Sequence, residues 1–240
     1  MARPLVWVLG ASMLTATLVA LPATAAFAQA DRTEEVVVTG EKRQPNEAQT
    51  PHVVLTRRAD NLITEVRVVC DTRDPSQRRN ELKATLRNMI KASGGRIELG
   101  VGDETIGRFD ETMLDKVIAP DAKVDTSQAV VVVKTHITAG DTFDSASGRI
   151  TAFIERTPKV GRSEILREKE WSLTIIAPEQ YRRAIIAKVA EDARGVAAAF
   201  GPGYGVSADG LQRPVDWYQP GALDLALFIP YKLVVEPLPR

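Results

Sequence analysis

The residues able to do chemistry are few and scattered. His52 and His136 are the two histidines, and Cys70 is the one cysteine. Metal sites gather Cys, His and carboxylates at short spacings such as H-x-H or H-E-x-x-H, and neither histidine sits in such a pattern. A hydrolytic triad needs a Ser or Cys nucleophile oriented by His and a carboxylate, and no G-x-S-x-G elbow presents one. Gly100-Val101-Gly102 follows a strand-like run, with Gly107 five residues on. A dinucleotide loop spaces its glycines G-x-G-x-x-G and opens a helix. Here the third glycine is misplaced, and Asp103 and Glu104 would face the phosphates. Turn glycines explain the segment better. Gly201-Pro202-Gly203-Tyr204-Gly205 ends a helix, and helix C-termini repel anions. The expectation is a chain with no catalytic, cofactor-binding or metal site, the alternative being a hydrolase whose unrecognised site lies in a cleft between lobes.

The remaining candidates are contact residues. Trp217 and Tyr218 lie between Pro214 and Pro220 on a connection, where paired aromatics either anchor a partner or pin the loop to the core. Val36, Val37 and Val38 form a short β segment near the start of the expected mature chain. Arg79, Lys83, Arg87 and Lys91 step by four along a helix. They read as a solvated face whose stems cover the core edge, with lipid headgroups as the alternative partner. Cys70 shares a strand face with Val66 and Val68 and reads as a small buried hydrophobe, the alternative being a redox or dimerising thiol.

Elements must position these residues, and the pattern supplies them. Residues 34–39, 52–55, 62–71, 97–101, 129–137, 171–176, 205–207 and 223–235 read as β segments, about seven strands within the folded domain. Asp74-Pro75 starts a helix, with Asp as N-cap and Pro at the first helical position; Leu82, Leu86, Met89 and Ile90 share its face, and Gly94-Gly95 stop it. Asp141 caps a second helix carrying Phe143, Ala146, Ile150, Phe153 and Ile154 on one face. Pro178 opens the longest helix, running to Phe200, with Ile185, Val189, Ala193, Val196 and Phe200 on one stripe. Each helix has a single stripe to bury, so the expectation is an α+β fold: mixed sheet with three principal helices on one side, in β-α-β-β-α-β-α-β-β order. The piece at 103–123 is less clear. A seam between two lobes is expected near 157–166.

The first thirty residues read as a secretory leader: Arg3, an apolar run over 5–21, and Ala28-Gln29-Ala30 as an A-x-A cleavage site. The run is marginal for a bilayer of ~30 Å. Removing 1–30 from the 240 residues leaves 210, divided into a strand and polar linker over 31–50 and a domain over 51–240. Lys and Arg number 31 and Asp and Glu 31, and only Arg3 among them lies in the leader. That balance gives no reason to expect nucleic acid. An exported chain with a lone cysteine forms no disulfide within itself.

Two resemblances follow from these residues. Glu34-Glu35-Val36-Val37-Val38-Thr39-Gly40-Glu41-Lys42-Arg43 is similar to the start of TonB-dependent receptors, a stretch near the segment that pairs with TonB by strand addition. A 22-strand barrel at ~10 residues per strand needs on the order of 220 residues. The resemblance therefore implies a TonB-contacting accessory segment, removable as 31–43 with the fold intact. The second resemblance spans nearly the whole mature chain. Val36-Val37-Val38-Thr39-Gly40, the β-α steps at 62–93 and 129–156, and a helix with Ala184, Ala187, Ala190, Ala193, Ala197, Ala198 and Ala199 closed by Gly201 resemble SIMPL-domain proteins. Ala59-Asp60-Asn61 replaces the family's P-D-x-A step, and the pieces at 41–50 and 103–123 are atypical. The resemblance implies a non-enzymatic periplasmic protein of the cell envelope, linked to envelope and oxidative stress, that forms homo-oligomers or binds an envelope protein.

Overall fold

The computed structural model describes residues 35–38, 52–168 and 170–239. The expected leader and most of the polar linker lie outside them. An antiparallel sheet organises the molecule. Its path is β1 (Glu35–Val38), β9 (Ser172–Ile176), β3 (Asn61–Cys70), β7 (Ser127–His136), β4 (Ile97–Val101) and β5 (Gly107–Arg108). Two strands lie off this path: β6 (Ile118–Pro120) pairs with β7, and β8 (Ser163–Arg167) pairs with β3. β3 and β7 are the spine, in register from Asn61 opposite His136 to Cys70 opposite Ser127. Alternation sends Leu62, Val66, Val68 and Cys70 to one face, with Ala129, Val131 and Val133 beside them.

That face is covered by helices. α1 (Pro75–Ala92) starts where Asp74 accepts the Gln77 N–H at 2.7 Å, and it lays Leu82, Leu86 and Met89, all fully buried, on the sheet. Each such burial is worth about 1.5–3 kcal/mol. α3 (Phe143–Arg156) adds Ala146, Ile150 and Phe153. α4 (Arg182–Phe200) follows a 3-10 turn at Pro178–Tyr181 and puts Ile185 and Val189 against Leu173 and Ile175 of the same face. A short α2 (Leu114–Val117) lies between β5 and β6.

Two smaller sheets finish the chain. β11 (Asp216–Tyr218), β12 (Asp224–Phe228) and β2 (Leu55–Arg58) form one. β10 (Tyr204–Asp209) and β13 (Lys232–Pro237) form the other.

The α+β class read from the sequence holds, with its three principal helices on one face. Thirteen strands are described rather than about seven, and every described pairing is antiparallel rather than mixed. Short returns add β5 beside β4, β6 beside β7 and β11 beside β12, whereas β8 pairs with β3, distant in the chain. The 52–55 segment forms instead at Leu55–Arg58, and the run at 223–235 breaks into β12 and β13 around Pro230, whose ring removes a ladder donor. The described residues fall in one compact unit, Thr33–Arg240, and most of β8 lies within 157–166, the stretch expected as a seam.

Candidate functional site

Three carboxylates anchor polar clusters, and each is engaged on both oxygens. Asp141 precedes α3. One oxygen meets Arg149 Nη1 and the Ser145 hydroxyl; the other accepts the N–H and hydroxyl of Thr138, both at 2.8 Å. The Arg149 guanidinium, first among these donors, holds the Asp141 carboxyl far below the usual carboxylate range. The N-cap of α3 is Thr142, in a capping box with Ser145, so the cap expected at Asp141 lies one residue later. Asp141 instead ties the β7–α3 turn to the helix.

Glu81 on α1 takes the Thr72 hydroxyl at 2.6 Å, Gln77 Nε2 at 2.8 Å, the Arg162 N–H at 3.1 Å and the Cys70 thiol at 3.3 Å. The Thr72 hydroxyl leads in holding this carboxyl down, to about 2. Cys70 is fully buried, as its strand pattern implied. At Gly161, with φ +59°, an added Cβ would lie 2.1 Å from the Glu81 carboxyl carbon. Only glycine lets this loop approach the carboxylate so closely.

Glu35 of β1 is 6% exposed and pairs with Lys134 on the sheet face opposite the helices. It also accepts from Thr174 Oγ1 at 2.6 Å and Asn61 Nδ2 at 2.7 Å. Burial works to lower the Lys134 pKa, but Glu35, and then Glu98 at 3.1 Å, outweigh it and raise it. Over this network folds the loop after β4, which brings the Ile106 N–H to the Glu35 carbonyl. Gly100 makes room for it, since a Cβ there would sit 2.3 Å from Ile106 Cγ2. The glycines of 100–107 thus serve a turn.

The contact candidates separate. Val36, Val37 and Val38 run antiparallel to Ile175, Thr174 and Leu173, so the segment is an edge strand of the main sheet rather than a free tether. Trp217 and Tyr218 lie in β11, a strand rather than the connection expected. Both are half-buried; Trp217 packs on the core under α4, and the Tyr218 ring sits 6.1 Å from that of Phe228. Two charges of the basic stripe are spent within the fold: Arg79 and Lys83 both reach Asp115 at 2.6 Å. His52 and His136 are exposed, and among the described residues no group of three or more His, Cys, Asp and Glu is placed to hold a metal.

The feature that pattern reading missed is the far end of α4. Of the expected stripe, Ile185 and Val189 are buried, Ala193 and Val196 are half-buried, and Phe200 is 55% exposed. This half of the helix lies against β10, and the arm they form with β13 is thin. A groove of about 320 Å³ opens along it, walled by Ile186, Ala190, Ala193 and Ala197 of α4 and by Val206 and Ala208 of β10. Phe200 packs against Tyr204 with ring centroids 5.9 Å apart, and Leu238 lies over Gly205. Tyr204 is 44% and Leu238 52% exposed. At the β13 end Tyr231 donates to Asp192 at 3.3 Å; burial, then Asp192, pushes its phenol up to about 12. The sequence signal available was the length of the stripe against the small amount of strand following it.

The fold and this arm define an antiparallel α+β protein with an open apolar surface at one edge. Compared with known protein families, curated proteins and solved structures, the chain matches none.

Proposed function

We infer that this is an exported, non-enzymatic protein of the bacterial envelope, of SIMPL type, that works by self-association. The observation that carries the reading is the arm. Its helix stripe continues past the core onto β10, which covers it only in part, and at the arm's end Phe200, Tyr204 and Leu238 are each about half exposed. Exposed apolar side chains gathered at one end of an element, here with Phe200 against Tyr204, mark a contact site. Support also comes from the carboxylate clusters, whose oxygens already hold several donors from this chain, and from the leader at 1–30. The resemblance to SIMPL proteins adds the periplasm and a role in envelope or oxidative stress. Sedimentation velocity tests the reading. Wild-type protein sediments as an oligomer that dissociates on dilution. Sedimentation as a monomer at every concentration contradicts it. Export is tested separately by N-terminal sequencing of the periplasmic fraction: a chain starting at Asp31 is the expected result, and a chain retaining 1–30 is the contrary one.

A further inference from the structure

We propose that a second copy of this chain pairs with β13, antiparallel and edge to edge, about a two-fold axis at Val234. This rests on the self-association reading and gives it a surface and a register. β10 and β13 form a two-stranded sheet backed by α4, and β13 has β10 as its one described partner, which leaves its outer edge unpaired among the described residues. The Leu238 N–H donates to the Gly203 carbonyl at 2.8 Å. By the alternation of an antiparallel ladder, Lys232, Val234 and Glu236 then turn their backbone groups toward β10, and Leu233 and Val235 turn theirs outward. Pro237, in the outward set, has no N–H and ends the available edge.

A two-fold at Val234 sets Leu233 of each copy against Val235 of the other, joined by backbone hydrogen bonds. Side chains then choose this register. On the face carrying Val234, Lys232 of one copy falls opposite Glu236 of the second, at both ends of the pairing. Both residues are exposed, and Glu236 lies opposite Gly205 within its own chain, which brings it no charge. Centring on Leu233 would set Lys232 against Val234. Centring on Val235 would set Leu233 against Pro237. Neither uses the charges. Leu233 and Val235 share a face with Ala208 and Val206, which line the groove beneath α4. The assembly is a four-stranded sheet, β10-β13-β13-β10, with both α4 helices on one side, an isologous contact.

Disulfide trapping tests it. Facing non-hydrogen-bonded residues of an antiparallel pair have Cα atoms about 4.5 Å apart, within the disulfide range of about 4.4–6.8 Å. Cys70 is buried, so V234C supplies the accessible thiol. Under mild oxidation V234C forms a covalent dimer. S207C, on the neighbouring strand and therefore about three strand spacings, or ~14 Å, from its equivalent, does not. E236K and K232E each weaken the dimer about tenfold, and mixing the two single variants restores it. Circular dichroism of each variant reports the monomer fold. Equal trapping of V234C and S207C, or wild-type dimerisation by E236K, overturns the proposal. If wild type is oligomeric while those outcomes hold, another surface associates and the broader reading survives; if wild type is monomeric, both fail.

Discussion

Replacing Asp141 with Asn keeps the shape of the side chain and removes its charge. The residue is 8% exposed, and its carboxylate faces Arg149, Thr138, Ser145 and, at 3.5 Å, Arg96. Removing one partner of a buried ion pair costs about 3–5 kcal/mol. Arg149 is 24% exposed and keeps Thr135 Oγ1 and the His136 carbonyl as acceptors, which places D141N at the lower end, about 3 kcal/mol. For a chain of this size that lowers Tm by roughly 6–12 °C. The pH dependence is specific. The folded carboxyl titrates well below the unfolded value of about 3.9, so its stabilisation is complete at neutral pH and is lost as pH falls through the acid range. The gap between wild type and D141N in urea unfolding should therefore be full at pH 7 and narrower by roughly 1 kcal/mol at pH 3. A gap under about 0.5 kcal/mol at pH 7, or one unchanged at pH 3, refutes the reasoning.

Other outcomes follow from the same geometry. E35A leaves Lys134, 15% exposed, with the exposed Glu98 as its one anion among the described residues and should cost about 2–4 kcal/mol in urea unfolding, so deletion of 31–43 should destabilise the fold rather than leave it intact. G161A should lower Tm by several degrees, because the added methyl meets the Glu81 carboxylate and φ is positive; a Tm equal to wild type would remove Glu81 as the anchor of that loop. Cys70 should stay unlabelled by a thiol reagent in native protein and react fully in denaturant, and native labelling at the denatured rate would contradict its burial.

Local signals were legible wherever the deciding chemistry was local. Asp74-Pro75 opens α1 as its cap chemistry requires, and the alternation of Leu62 to Cys70 set the inner face of β3. What stayed hidden depends on distant partners. Ser163–Arg167 has no strong strand pattern and becomes β8 because β3 presents a free edge beside it. Asp115 lies in a segment without clear periodicity and matters through Arg79 and Lys83, thirty-odd residues earlier in the chain. Glu35 looks like one acid among many until β1 brings it to Lys134. In α4 the stripe itself was readable. That its second half would be only partly covered was not, since this depends on how little strand β10 and β13 supply.

We propose the arm built from α4, β10 and β13 as the association surface of the protein. Static light scattering of the purified protein over a dilution series tests it most directly. Twice the subunit mass at high concentration, falling to the subunit mass on dilution, is the expected result. A subunit mass at every concentration would contradict it.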